Sequence, residues 1–183
     1  MNYMNISAIL VSMLLSAATM AKAVTIDFES LAHNDDAVTH IGAVYSEDGF
    51  ILENLATVDS SGFEPAFATY GTAHEWFAGS TSLINDNYQG VSRFSSANGS
   101  FFSLSSIEVS ELWNHEVQEL LTFIGLKADG TTVSQSFALD GLFGFETFYF
   151  DALFSDLVAL TWTLKDSLGE TLEGYTMDRA RSS

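Results

Sequence analysis

Four histidines, His33, His40, His74 and His115, have the widest scope for metal binding or acid–base work. None of them forms a metal pair at helical spacing. His115-Glu116-Val117-Gln118-Glu119 opens like the H-E-x-x-H zinc-protease motif, but Glu119 stands where the second His is required, so that motif fails. Asn85-Asp86-Asn87-Tyr88-Gln89-Gly90 opens like an EF-hand loop with Gly at its sixth position. Its first residue is Asn, and Ser96 replaces the bidentate Glu that closes such a loop, so it reads as a polar turn. With no cysteine, thiolate metal sites, disulfides and Cys nucleophiles are excluded. No Ser lies in a G-x-S-x-G elbow, and no P-loop or G-x-G-x-x-G is present. Glycoside hydrolysis needs two carboxyls roughly 5–10 Å apart. Among 24 acidic residues the sequence singles out no pair. A polysaccharide-active enzyme is therefore the weakest of three functional readings.

Sugar recognition is better served. Sugars lay an apolar face on flat rings and offer hydroxyls to Asp, Asn and Glu. Trp76 stands in the irregular stretch His74-Glu75-Trp76-Phe77, Trp113 ends a strand beside Asn114 and His115, and Tyr88 lies in a polar turn. These three are the expected ligand-binding residues. Trp162, in an alternating strand, is expected to pack in the core.

The background for these residues is acidic. The 183-residue chain carries 24 acidic against 6 Lys plus Arg, a formal net charge of −18. Phosphate backbones and anionic membrane surfaces repel such a chain, so no nucleic-acid partner is expected. Yet 47% of residues are hydrophobic and 13% aromatic, which excludes a disordered acidic tail and supplies a core. Residues 1–23 read as a signal peptide, with the apolar run Ile6 to Met20 followed by the A-x-A pattern Ala21-Lys22-Ala23. The mature chain would be residues 24–183, with no transmembrane anchor. It is expected to be secreted or periplasmic.

Short strands separated by turns must position the candidate residues. Val24 to Glu29 alternates apolar and polar residues. Strands are also expected at Phe50 to Leu55, Thr81 to Ile84, Val91 to Phe94, Phe102 to Ser110, Phe145 to Phe150, Leu157 to Leu164 and Glu173 to Met177. In Phe102 to Ser110 the apolar parity changes, which predicts a bulge near Ser105-Ser106. Leu120 to Leu126 and Thr131 to Leu139 flank Lys127-Ala128-Asp129-Gly130, a hairpin signal. Phe150 to Leu157 has room for one helical turn. With a single Pro, no linker and no repeat, the reading is one all-β domain, an antiparallel β-sandwich of jelly-roll-like form.

VTIDFESL, YSEDGF, FAGSTSLIN, NGSFFSLSSIEV, GLKADGTTVSQSFALDG, TFYFDALFSDLVALTW and YTMD follow one another in this order. The series resembles the exported bacterial β-sandwich domains found in PEP-CTERM sorted proteins, over nearly the whole mature chain. The Pro-Glu-Pro motif, hydrophobic span and basic tail of that group are missing from the end at Arg181-Ser182-Ser183, so free secretion is the simpler expectation. The layout is also similar to jelly-roll carbohydrate-binding modules. That resemblance implies a structural Ca2+ ion held by acids of the first strand and an Asp near the end of the last. Asp27, Glu29 and Asp178 match. Residues two apart on a strand share a face, and antiparallel pairing of the first and last strands would bring Asp178 beside Asp27 and Glu29. The leading expectation is an exported, non-catalytic module that binds carbohydrate and is stabilised by Ca2+. The alternative is a structural or adhesive component of the cell-surface matrix with no soluble ligand.

Overall fold

A computed structural model describes residues 23–56, 64–86, 91–112, 114, 120–165 and 175–182, with 164–165 and 175–182 described by their backbone. Tyr88, Trp113 and the expected signal peptide up to residue 22 lie outside the described residues. Thirteen strands are seen among those described: β1 (Val24–Ile26), β2 (Val38–Gly42), β3 (Val44–Glu47), β4 (Phe50–Asn54), β5 (Phe67–Tyr70), β6 (Leu83–Asn85), β7 (Ser92–Ser96), β8 (Leu104–Glu111), β9 (Leu120–Lys127), β10 (Thr132–Ala138), β11 (Gly144–Tyr149), β12 (Leu157–Lys165) and β13 (Tyr175–Ser182). The described residues contain one 3-10 turn, Glu29–Leu31, and no helix long and apolar enough to cross a membrane.

The strands form two antiparallel sheets, as expected of a β-sandwich. The first runs β11-β8-β13-β6-β5-β2, with β1 also on β13. The second runs β10-β9-β12-β7-β4-β3. At one side the chain itself crosses between them. β2 ends at Gly42, whose φ of 100° lets the backbone turn into β3 of the other sheet. At the other side Gln135 of β10 ties the sheets together: its Nε2 donates to Tyr149 O at 3.1 Å and its Oε1 accepts from Asp151 N at 3.1 Å.

Alternation along the strands fills the space between the sheets. Phe28, Phe67, Phe94, Phe123 and Phe154 are fully buried. Each contributes about 1.5–3 kcal/mol through removal of its ring from water. Phe50 stacks on Phe94 with centroids 4.8 Å apart, and Phe102 meets both edge-on. A second ring cluster joins Phe123 to Phe137, Phe150 and Trp162. Trp162 is core, as its strand pattern predicts.

Four bulges adjust the pairing among the described residues, one of them at Ile41 of β2, between the pairs His40–Ala68 and Gly42–Phe67. Arg181 of β13 pairs with Ser106 and Ser182 pairs with Leu104, so Ser105 is the extra residue. It returns Leu104, Ile107 and Val109 to the same buried face, as the parity change predicts. On β12, Val158 is extra, so Leu157 turns inward with Leu160 and Trp162. On β13, Asp178 is extra, between the pairs Met177–Val109 and Arg179–Glu108. The Asp129-Gly130 hairpin forms with Gly130 at φ 82°, and Asp129 Oδ1 accepts from Thr131 N at 2.9 Å.

One expected strand is shorter than its sequence pattern. VTIDFE alternates to Glu29, but β1 ends at Ile26. Phe28 takes a left-handed conformation, φ 57°, with its ring fully buried, and Glu29 begins the 3-10 turn. Core burial of that ring outweighs continuation of the strand.

Candidate functional site

The outer face of the first sheet carries an aromatic and acidic patch at the β5–β6 connection. Tyr70 ends β5, and the chain turns sharply through Gly71 to Phe77. That turn is held from both sides. Gly71 N donates to Ala37 O at 3.0 Å, Thr72 N to His33 O at 2.9 Å and Ala73 N to Asp35 O at 3.0 Å. His74 N returns to Gly71 O at 2.9 Å, and Phe77 N to His74 O at 3.0 Å. The approach is so close that a Cβ on Gly71 would lie 2.2 Å from Asp35 O. Gly71→Ala is therefore expected to cost about 1–3 kcal/mol, because two backbone segments would have to part. A urea titration of the variant checks this.

Within the turn, His74 stacks on Tyr70 with centroids 4.4 Å apart, and Trp76 meets Tyr70 edge-on at 5.5 Å. Trp76 N donates to His74 Nδ1 at 3.1 Å, which requires a neutral imidazole with its proton on Nε2. The Trp76 side chain stays 37% exposed. Beside the rings, His40 Nδ1 lies 3.2 Å from Asp86 Oδ2. Burial raises the Asp86 carboxyl above its usual range, against the opposing pull of His40. Burial also raises the Tyr70 phenol, and the nearby Asp86 charge adds to that. The arrangement offers an indole face and an imidazole on one turn, with the Asp86 carboxyl reaching the Tyr70 side of the patch from the end of β6.

A carboxylate trio lies at the opposite end of the strands. Glu111 shares the inward parity of Ile107 and Val109 on β8 and is 1% exposed. Glu146, on β11, shares the parity of the core-packed Phe148 and Phe150. The β10–β11 loop supplies Asp140. Oxygens from the three carboxylates all lie within 4.8 Å of one another. Gly141 N donates to Glu111 Oε1 at 3.1 Å, Asp140 N to Glu146 Oε1 at 3.1 Å and Leu142 N to Asp140 Oδ1 at 2.8 Å. Burial is the main cause raising the Glu146 carboxyl above its usual range, and the Asp140 charge adds to it.

The acids expected from the sequence to bind Ca2+ are arranged differently. Asp27 and Glu29 do not share a strand face, since β1 stops before both. Asp27 Oδ1 instead accepts from Glu29 N at 3.2 Å, and Glu29 Oε1 accepts from Ser80 Oγ at 3.3 Å. Pairing of β1 with β13 is present, with Ile26 opposite Ala180. Asp178 stands at its bulge, where one edge of β13 passes from β6 to β1; its side chain lies outside what is described. Close to Asp27 is a further acid that the sequence reading missed. Glu47 Oε2 accepts from Phe28 N and from the Tyr45 hydroxyl, each at 3.2 Å. Burial raises the Glu47 carboxyl, with Asp27 and Asp48 adding to the shift.

Of the expected sugar-binding residues, Trp76 is in the patch, in ring contact with Tyr70 and His74. Tyr88 and Trp113 lie outside the described residues.

No protein-family model matches the chain, and no curated protein sequence does. Among solved structures it is similar to the enzymatically active domain of tailspike protein 4 from bacteriophage CBA120, with a TM-score of 0.31 and 11% identity. The match covers 79% of this chain and 19% of that one, so the chain spans about a fifth of the tailspike chain's length.

Proposed function

We propose that this chain is an exported, non-catalytic β-sandwich module that binds carbohydrate and is stabilised by Ca2+. The observation that supports sugar binding is the Tyr70–His74–Trp76 patch with Asp86 beside it. A partly exposed indole, fixed by its neighbours before any ligand arrives, binds without a large ordering cost. Trp76 would stack on a sugar face. The rings are held together by the turn, so replacing one of them should not unfold the sandwich. Trp76→Ala is expected to weaken binding of a retained polysaccharide about 30-fold, the loss of about 2 kcal/mol typical of a central aromatic contact. Isothermal titration of the variant beside the wild type tests this. Equal affinities would remove Trp76 from the site.

The Ca2+ part of the reading draws on Glu111, Asp140 and Glu146. Ca2+ takes six to eight oxygen ligands at about 2.3–2.6 Å, so two of its ligand oxygens can be at most roughly 5 Å apart. The trio meets that limit. Its all-carboxylate donor set suits a hard cation better than zinc or copper. When bound, the ion would supply the positive charge that three converging carboxylates call for and would pin the β10–β11 loop to the ends of β8 and β11.

This proposal has a pH signature. Without metal, burial lets the Glu146 carboxyl hold its proton to a higher pH in the folded chain than in the unfolded one, so its deprotonation disfavours the fold. The stability difference between wild type and Glu146→Gln is expected to move in favour of wild type as pH falls from 7 into the carboxylate range. Protons compete with a bound cation. At saturating Ca2+ the same difference is expected to move the opposite way. Urea titrations at several pH values, with chelator and with Ca2+, read both slopes.

A further inference from the structure

The outer face of the second sheet is unlike the rest of this acidic chain. Alternation presents Leu120, Ile124 and Leu126 of β9 to solvent, and Val44 of β3 is exposed on the same face. Ile124 is 45% exposed. Between the apolar residues stand hydroxyls: Ser134 is opposite Ile124 on β10, Thr161 is opposite it on β12, and Thr122 is hydrogen-bonded to Ser136 at 2.8 Å. Among the described side chains of this face, the charged ones are Glu53 and Arg93. They face each other across β4 and β7, with Arg93 Nε donating to Glu53 Oε2 at 2.7 Å. The described side chains of this face are therefore close to neutral in sum, on a chain of net charge −18.

We infer that this face is the interface through which two copies of the chain associate, sheet against sheet. Charge selects the occupant. Two copies repel each other through their acidic surfaces and can come together only where that charge is missing. The face has no aromatic ring at its β9 centre to stack on a sugar, whereas Leu and Ile side chains interdigitate readily between packed sheets. Size sets the strength. Six strands about 4.8 Å apart and on the order of 20 Å long give roughly 600 Å² per copy. Two copies would bury about 1,200 Å², the lower end for a specific interface, so the dimer is a weak one.

Sedimentation equilibrium of the full chain, from about 1 µM to about 1 mM, tests the inference over the Kd range of weak complexes. The mass is expected to rise from one copy towards two. Added salt should strengthen association, because it screens the repulsion between two acidic chains while leaving the apolar contact. Ile124→Glu, at an exposed position, should weaken the dimer tenfold or more without lowering the melting temperature. Thr161→Lys, on the neighbouring strand, should do the same by burying an unpaired charge. Leu153→Glu, at an exposed position on the β11–β12 connection, should leave association intact. A single-copy mass at every concentration and salt level would overturn the inference. So would dimers unaffected by both face variants. Retardation in a neutral polysaccharide gel that Ile124→Glu abolishes would assign the face to a glycan and overturn it as well.

Discussion

Phe123→Ala is expected to remove about 3–5 kcal/mol of folding stability, a large share of the roughly 5–15 kcal/mol that holds a domain together. Phe123 is 0% exposed and lies on β9, next to the edge strand β10 of the second sheet. Its ring meets Phe137 at 5.9 Å, Phe150 at 5.1 Å and Trp162 at 5.8 Å. Those partners come from β10, from the residue after β11, and from β12. Truncation therefore opens a cavity between the sheets and loosens the side where Gln135 joins them. Phe137 and Phe150 are themselves in contact, at 5.3 Å edge-on, and are held by Phe148 and Phe154, so they cannot readily collapse into the gap. A urea unfolding curve gives the loss directly. A change below about 1 kcal/mol would mean that the cluster repacks freely, contrary to the close packing of protein interiors.

The second large effect is that of Ca2+. At a free concentration a hundredfold above its Kd, a ligand confined to the folded state adds about 2.7 kcal/mol. For a chain of this size that raises the melting temperature by about 5–10 °C. Glu111 carries most of this expectation, since it is the most buried of the three acids and belongs to a regular strand. Glu111→Gln preserves shape and removes one charge. It is expected to abolish the response to Ca2+ and to change the stability in chelator far less. The same experiment on Asp27→Asn separates the two acidic regions. A Ca2+ response lost in Asp27→Asn and kept in Glu111→Gln would place the ion at the β1 end of the sandwich instead.

How far the sequence discloses this structure depends on what each residue competes against. The β9–β10 hairpin, the Ser105 bulge and the burial of Trp162 are all readable, because turn chemistry and alternation agree there. β5 is not, since Phe67, Ala68, Thr69 and Tyr70 are buried on both faces and show no alternation. β2 is hard to see for the opposite reason: Val38, Thr39 and His40 are all exposed on an edge strand, so burial imposes no pattern. The end of β1 is misread because nothing local reports that Phe28 will turn into the core. The carboxylate trio did leave a trace. Glu111 keeps the parity of Ile107 and Val109, and Glu146 keeps that of Phe148 and Phe150. Acids on the apolar phase of two strands point inward, and that signal outweighs the surface acids at the chain's beginning and end. What no local pattern contains is that β8 and β11 pair, which brings the two acids to the same end of the sandwich.

Affinity gel electrophoresis of the wild-type chain against a panel of polysaccharides tests carbohydrate binding most directly. The panel should contain neutral and anionic polymers, with Ca2+ present throughout. Retardation is expected by at least one neutral polysaccharide and by none of the anionic polymers, which the net charge of −18 repels. Unretarded migration through every polymer in the panel would contradict it.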